Sequence, residues 1–414
     1  MPEDVIYLDN AATSWPKPAC VAEAMTDFLA HSAGNPGRGG HQLARAAAAP
    51  AEGVRSLLTA RLGAPCDDRV VLTHGCTDSV NIALHGVLSG LAGRVKSSTP
   101  IHVLASSVEH NAVLRTLQCY AERQMIELEI IPCDLNGWTD PAQVAEMLRD
   151  DTALVCLSHA ANACGTIQPV REIGSLIRSQ TSHGLLLVDA AQTIGHVDLH
   201  MQEDLADLVS VAGHKGLLGP TGTGALLVGE RAWPEDPEQR RFACERRGGT
   251  GAAGRGRIMP DTLPEAREAG TINAVGVAGL LAGMRWEMPG RHEHEQELAS
   301  QLLSGLGAIK GVTLQGLPGV EGRTAVVLFT VEGWHPREAA MVLDEQHGVC
   351  VRGGTHCAPL LHERFGNGER GGLRVSPGWA TSRAKIARVL TLIDAMASGR
   401  STDTHHQTHA AARR

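Results

Sequence analysis

The feature that most constrains this chain is a repeating pattern of short apolar strands, each broken off by a polar or small residue and followed by a helix-period stretch. Candidate strands lie at Val70–Leu72, Ile101–Ala105, Glu127–Ile131, Ala153–Ser158, Leu185–Asp189, Leu208–Ala212 and Gly224–Val228. Strands this apolar must be covered on both faces, and alternation with helices favours a mostly parallel sheet. The expected fold is therefore α/β, with a large domain built on a mostly parallel seven-stranded sheet. Further patterns at Thr324–Val331, Val349–Arg352 and Leu373–Ser376 alternate with helices near Pro336–Gln346 and Ser382–Ala397, which suits a smaller C-terminal α+β domain. One helical stretch is expected from about Gly276 to Leu306, and a break or kink at Pro50 in the Ala-rich helix after His41. The expected division is 16–275 for the large domain, 276–400 for the small one, 1–15 as an N-terminal segment belonging with the small domain, and 401–414 as a flexible tail.

In open α/β sheets ligands bind outside the carboxyl ends of the strands, so the strand terminations are where chemistry gathers. The charge balance narrows the chemistry. Thirty-seven Lys and Arg against 45 Asp and Glu leave a net charge of -8, with no basic cluster to hold nucleic acid or an anionic membrane. Aromatics are 3% of the chain, too few for base-stacking platforms. The longest Gly/apolar stretch, Val275 to Met284, is half of a membrane span. Ten cysteines without a C-x-x-C pair, and no charged-then-apolar leader, suggest a reducing, cytoplasmic compartment. Small-molecule chemistry is the default expectation.

The strongest segment is Leu185-Leu-Leu-Val-Asp-Ala-Ala-Gln192, followed by Leu208-Val-Ser-Val-Ala-Gly-His-Lys215 and a Gly-rich turn. A buried strand delivering one carboxylate and another delivering one lysine is what a pyridoxal phosphate site requires. Asp189 keeps the pyridine nitrogen protonated, and Lys215 makes the Schiff base. Either residue alone reads as a satisfied strand-end acid or a loop lysine; the ordered pair carries the argument. Thr73-His-Gly-Cys-Thr-Asp-Ser79 precedes a helix and offers free backbone N–H groups to a phosphate, although Thr-Asp-Ser is also an ordinary helix cap. His110, in Ser107-Val-Glu-His110-Asn, can lie flat on the ring and exchange protons with the substrate carbon; a lone histidine is more often structural. Asn162 and Gln192 can bond near the cofactor's phenolic oxygen, with turn formation as the simpler role.

Near the C-terminus, Val351-Arg-Gly-Gly-Thr-His-Cys357-Ala-Pro sets a thiol on a glycine-flanked turn beside Arg352 and His356. Positive neighbours and exposure favour a nucleophilic thiolate, whereas a buried Cys is packing. Arg374 offers a guanidinium for a substrate carboxylate. His292-Glu-His294 is too short a spacing for a metal site and reads as a solvated helix face; His405, His406 and His409 read as part of a solvated tail. No metal is expected.

These motifs resemble those of the class V aminotransferase-like pyridoxal phosphate enzymes, and within them the cysteine desulfurase/selenocysteine lyase family. The resemblance runs through Tyr7-Leu-Asp-Asn-Ala-Ala-Thr13, Asn35-Pro-Gly-Arg-Gly-Gly-His41, Thr73-His-Gly-Cys-Thr77, Glu109-His110, Asp189-Ala-Ala-Gln192, Gly213-His-Lys215, Glu268-Ala-Gly-Thr-Ile-Asn273, Arg352-Gly-Gly-Thr-His-Cys357-Ala-Pro and Arg374-Val-Ser. It implies the PLP-dependent transferase fold type I and pyridoxal 5'-phosphate as cofactor. It further implies Lys215 as the Schiff-base lysine, Asp189 on the pyridinium, His110 stacked on the ring, Gln192 and Asn162 at the phenolic oxygen, and Gly75, Cys76, Thr77 and His214 at the phosphate. In this family the site lies at a homodimer interface, so Thr271 is expected to reach the neighbouring subunit's phosphate, near the Gly249-Thr-Gly251 loop. Arg374 matches the carboxylate-binding arginine and Cys357 the persulfide-forming cysteine. Two departures stand out: Ala212 where relatives often have Ser, and Cys76 where Thr is common. Each lost hydroxyl contact costs about 1 kcal/mol of cofactor binding unless backbone donors compensate.

The leading functional expectation is conversion of L-cysteine to L-alanine, with a persulfide on Cys357 passed to an acceptor protein or small thiol. The alternatives are selenocysteine lyase or another β-lyase, an isomerase, epimerase or transaminase on the same fold, and a non-catalytic sulfur-pathway partner. The short Cys357 turn resembles the branch with a compact catalytic loop. What the Arg-rich 238–257 region does is left open between docking a partner and framing the other subunit's site.

Overall fold

The computed structural model describes residues 5–37, 40–92, 100–240, 242–243, 246–250 and 257–399. Arg38, Gly39, Gly251, part of the Arg-rich 238–257 region and the 401–414 tail with its three histidines lie outside the described residues. The chain opens with β1 (Ile6–Tyr7), α1 (Ala19–His31) and α2 (Gln42–Leu62). The alternating part follows as β2 (Val70–Thr73), α3 (Cys76–Ala92), β3 (Ile101–Ser106), α4 (Asn111–Glu122), β4 (Ile126–Ile131), α5 (Pro141–Met147), β5 (Thr152–Ser158), α6 (Val170–Gln180), β6 (Leu185–Asp189), β7 (Leu208–Ala212) and β8 (Gly224–Val228). Then come α7 (Ala274–Arg285), α8 (Arg291–Gly307), β9 (Val312–Gln315), β10 (Val327–Val331), α9 (Pro336–His347), β11 (Val349–Cys350), β12 (Arg352–Gly354), α10 (Pro359–Arg364), β13 (Gly372–Val375) and α11 (Arg383–Ala397).

The expected seven-stranded sheet is present, in the order β2-β8-β7-β6-β5-β3-β4. Only β8 runs against the others, pairing antiparallel with both β2 and β7. Side chains alternate between two apolar layers, as period-2 geometry requires. Along β6, Leu185 and Leu187 face the layer of α3 and α4, while Leu186 and Val188 face the layer that takes in α2, α6 and α7. A four-stranded antiparallel sheet, β12-β13-β10-β9, has its own core with α8, α9 and α11. Ile6 and Leu8 pack into this second core, and β1 pairs with β11.

Two local features depart from the reading of short stretches. Of the break or kink expected at Pro50, the break does not occur: α2 runs through it for 21 residues. Proline inside a helix costs about 3 kcal/mol. The buried face containing Ala44, Ala47, Ala51, Val54, Leu58 and Leu62 offsets that cost, since each fully buried Val or Leu contributes about 1.5–3 kcal/mol. The single stretch from Gly276 to Leu306 is instead two helices, because Pro289 cannot continue a helix and Gly290 takes the left-handed conformation at φ 73°. Part of the Pro234–Glu268 loop is ordered by stacking: the Arg267 guanidinium lies 4.8 Å from the Trp233 ring centroid and 4.5 Å from that of Phe242. Among the described residues, no helix is long and apolar enough to cross a membrane.

Candidate active site

The carboxyl ends of β2, β3, β5, β6 and β7 open on one cavity of about 620 Å³. Asp189, the last residue of β6, and Lys215, just beyond β7, both line it. Their neighbours come in by the same route: Gly75, Cys76 and Thr77 follow β2, His110 follows β3, Asn162 follows β5, Gln192 follows Asp189, and His214 precedes the lysine. The second sheet supplies Arg352 and Arg374, with His356 beyond β12, and the N-terminal segment supplies Ala11 and Ala12.

Close backbone approach explains the glycines around His214-Lys215. A Cβ on Gly213 would meet Thr223 Oγ1 at 2.2 Å, and one on Gly216 would meet Ile194 O at 2.1 Å. The turn that carries the lysine is therefore packed against the Thr223 hydroxyl and the Ile194 backbone. Its amine is pulled below the usual lysine range by burial, with Asp189 acting against that shift. Asp189 is itself fixed: its Oδ1 accepts from the Ala191 N–H at 2.9 Å and from the Cys76 thiol at 3.2 Å. Cys76 thus orients the acid, while its backbone belongs to the first turn of α3, whose leading N–H groups have no partners within the helix. Burial, followed by Asp189, pushes the Cys76 thiol well up.

His110 caps α4, its Nδ1 accepting from the Ala112 N–H at 3.0 Å, and burial lowers it. His214 is lowered to about 4 by burial and then by the Lys215 and Lys17 charges. The Gln192 amide donates to Ala11 O at 3.0 Å, and that of Asn162 to His356 O at 2.6 Å. Asn162 Oδ1 and His214 Nδ1 are buried without a hydrogen-bond partner among the described residues. Arg374, 1% exposed, donates to Asp9 Oδ1 at 2.6 Å and to Asn162 O at 3.0 Å.

Cys357 is half-buried and follows His356, which lines the cavity; Cys357 itself is not a lining residue. It follows the strand β12, and both His356 (φ 53°) and Cys357 (φ 59°) take the left-handed conformation that side chains disfavour. Arg352 Nη2 donates to Cys357 Sγ at 3.5 Å, and Asn111 N–H donates to Cys357 O at 2.8 Å. Thr271 is exposed just before α7 and does not line the cavity of its own chain. Among the described residues no group of three or more His, Cys, Asp or Glu could hold a metal. His294 donates instead to Thr381 O at 2.9 Å.

Three participants escaped the sequence reading. Asp9 meets Arg374 across 365 positions, a pairing that only the fold reveals. Glu109, adjacent to His110, is fully buried and accepts from Ser106 Oγ at 2.6 Å and Ser158 Oγ at 2.9 Å; burial raises it to about 7. His362, on α10, meets His356. Asp9 and Glu109 already stood inside motifs, but nothing local assigns them a partner.

A model of the class-V aminotransferase family matches residues 6–389. The chain belongs to the class-V aminotransferase family. Among family relatives, a probable cysteine desulfurase from Methanothermobacter thermautotrophicus is 31% identical over 89% of this chain and 88% of its own. A probable cysteine desulfurase from Pseudomonas putida is 32% identical over 94% of this chain and 92% of its own. The solved apo structure of a cysteine desulfurase from Thermococcus onnurineus matches with a TM-score of 0.84 at 29% identity, covering 95% of each chain. A cysteine desulfurase from Escherichia coli shares the fold with a TM-score of 0.83 at 23% identity, over 97% of this chain and 96% of that one. The family fold and the mostly parallel seven-stranded sheet expected from sequence are thus borne out.

Proposed function

We propose that this class-V aminotransferase-family protein is a pyridoxal 5'-phosphate-dependent cysteine desulfurase that converts L-cysteine to L-alanine and holds the sulfur as a persulfide on Cys357. The observation that carries the reading is that Lys215 and Asp189 face one cavity with Arg352, and that Arg352 also reaches the Cys357 thiol at 3.5 Å. The donor set fits the cofactor. A buried acid suits a pyridinium nitrogen, the leading N–H groups of α3 suit a phosphate, and the orphaned His214 Nδ1 would donate to it when protonated. When bound, pyridoxal 5'-phosphate supplies an electron sink for the charge left by loss of the substrate α-proton.

The chain's own residues do the rest. Arg374 binds the substrate carboxylate, its charge partly neutralised by Asp9. Lys215 holds the cofactor and takes the α-proton at Nζ, a role suited to an amine whose affinity for protons is reduced by burial. His110 stands at the cavity wall to assist proton movement. Cys357 Sγ attacks the substrate sulfur: an S–S bond forms, the C–S bond breaks, and its electron pair stays with the carbon skeleton that is protonated to alanine. Gly75, Cys76, Thr77 and His214, which line the cavity, would hold the phosphate, and Gln192 and Asn162 would stand toward the phenolic oxygen. Thr271, exposed on its own chain, serves the site of a second copy in a homodimer. The 16–275 and 276–400 division belongs to the same reading, supported by two separate sheets and cores. So does a cytoplasmic location, with an acceptor protein or small thiol discharging the persulfide.

The test supplies purified, cofactor-loaded protein with L-cysteine and a reductant and assays alanine and sulfide together. Equal amounts of both are expected, and borohydride should trap the cofactor on Lys215. A keto acid without sulfide would overturn the reading.

A further inference from the structure

The turn that carries Cys357 contains two consecutive left-handed residues, a conformation that must be held by its surroundings. Backbone contacts hold it on the cavity side, through Asn162 to His356 O and Asn111 to Cys357 O. On the opposite side there is a chain of side chains with one possible polarity. His356 Nε2 lies 3.0 Å from Arg352 O, and a carbonyl only accepts, so Nε2 carries the proton. His356 Nδ1 is then an acceptor, and it lies 3.1 Å from His362 Nε2, which must carry a proton of its own. His362 Nδ1 is left as an acceptor and faces Asn367 Nδ2 at 3.3 Å. Asn367 and Gln315, on β9, exchange a reciprocal pair of amide hydrogen bonds at 2.6 and 2.8 Å. Every donor and acceptor in this line is assigned, and neither ring has a place for a second proton. Both imidazoles are buried, His362 completely. Burial and the Arg374 charge keep both neutral, His362 at about 4 and His356 at about 2.

We propose that His362 is a positioning residue for Cys357: through His356 it fixes the Arg352 carbonyl, and so the turn that sets the thiol under the Arg352 guanidinium. The inference rests on the desulfurase reading for its consequence in turnover, but the geometry of the thiol can be tested without it. His362 fixes the tautomer of His356; His356 ties residue 352 to residue 356; and the short loop between them has little freedom left. Without His362, His356 Nδ1 is a buried acceptor with no donor, which favours rotation of the ring and release of the turn.

The experiment uses the cofactor-loaded protein and the variants His362→Ala, His362→Gln and Asn367→Ala. Iodoacetamide labelling of the Cys357 peptide is followed by mass spectrometry, alongside the melting temperature and two turnover rates. Those rates are desulfuration of L-cysteine and release of chloride from β-chloro-L-alanine, a leaving group that departs without thiol attack. His362→Ala is expected to change the Cys357 labelling rate at least fivefold. It should also lower the ratio of desulfuration to chloride release about tenfold, through kcat rather than KM. His362→Gln, whose amide N–H can still donate to His356 Nδ1, should restore both to within twofold of the parent. Asn367→Ala leaves both imidazoles in place and should move both readouts in the same direction by a smaller factor. The proposal is overturned if His362→Ala leaves labelling and ratio within twofold, or if His362→Gln behaves like the alanine variant at an unchanged melting temperature. If His362→Ala does not fold, the comparison of Asn367→Ala with His362→Gln decides, and equal values in those two overturn it. Should the parent make no alanine from cysteine, the desulfurase reading fails, while the labelling arm still tests the relay.

Discussion

The two halves of the candidate site are built by different means. The Asp189–Lys215 half stands on the ends of parallel strands, and each functional residue is set by its own strand and the turn after it. The Cys357 half stands on a left-handed turn held by residues from α4, the loop after β5 and α10. Strand ends need little outside help, because the ladder on both sides fixes direction and register. The turn has no such frame, so its geometry depends on hydrogen bonds from distant parts of the chain. On the proposed reading, the groups that would meet a cofactor in one pose sit on the sheet, and the thiol that would take up and release sulfur sits on the turn.

The largest effect separates the halves by substrate. Lys215→Ala should lower turnover of both L-cysteine and β-chloro-L-alanine by about 10⁴-fold, since it removes the proposed base and the cofactor anchor together. Comparable loss on only one substrate would break the division. Cys357→Ala should lower cysteine turnover by roughly 10²-fold, about 3 kcal/mol of barrier, while chloride release falls far less. Full retention of cysteine turnover would eliminate the persulfide route.

Stability against pH probes the strand-end half. His159, just after β5, is buried against Thr193 and depressed from 6.5 to about 4 by burial. The unfolded chain therefore binds a proton that the folded chain refuses between those values, and stability falls as pH drops from 6.5 to 4. Alone this amounts to about 3 kcal/mol at pH 4, with no contribution above the unfolded value. His214 and His362, each depressed to about 4, add in the same direction, while the raised acids Glu109 and Asp207 oppose it. Denaturant titrations across this range should show His159→Gln with a shallower decline than the parent. The smallest effect concerns Cys76→Ala, which removes one donor from Asp189. It should weaken cofactor binding about fivefold, roughly 1 kcal/mol, read by cofactor titration. Restoration by Ser, which can donate to the same carboxylate oxygen, would locate the effect at Asp189 rather than at the phosphate.

The strand-end half was largely readable in advance because its signals are local. An apolar run, an acid at its end and a lysine after the next run state both the element and the direction of the side chain, and each lies in the cavity. Pro50 does not end α2, because burial along the rest of the helix outweighs the local rule. The contact of Cys76 with Asp189 went unread for a similar reason. Its place at the head of α3 was visible, but the thiol's bond to Asp189 crosses 113 positions. On the turn, Arg352, His356 and Cys357 drew notice as neighbours in sequence, whereas the left-handed backbone and the second imidazole left no local trace.

Periodicity and strand termination, which are properties of short stretches, were enough to specify a mostly parallel sheet and the acid and amine at its carboxyl edge. Contacts between distant segments set the rest: Asp9 on Arg374, Cys76 on Asp189, and His362 behind the thiol turn. Hydrogen bonds act over about 3 Å whatever the separation along the chain, so a partner hundreds of residues away is as strong as an adjacent one and leaves no mark on the spacing that a linear reading uses.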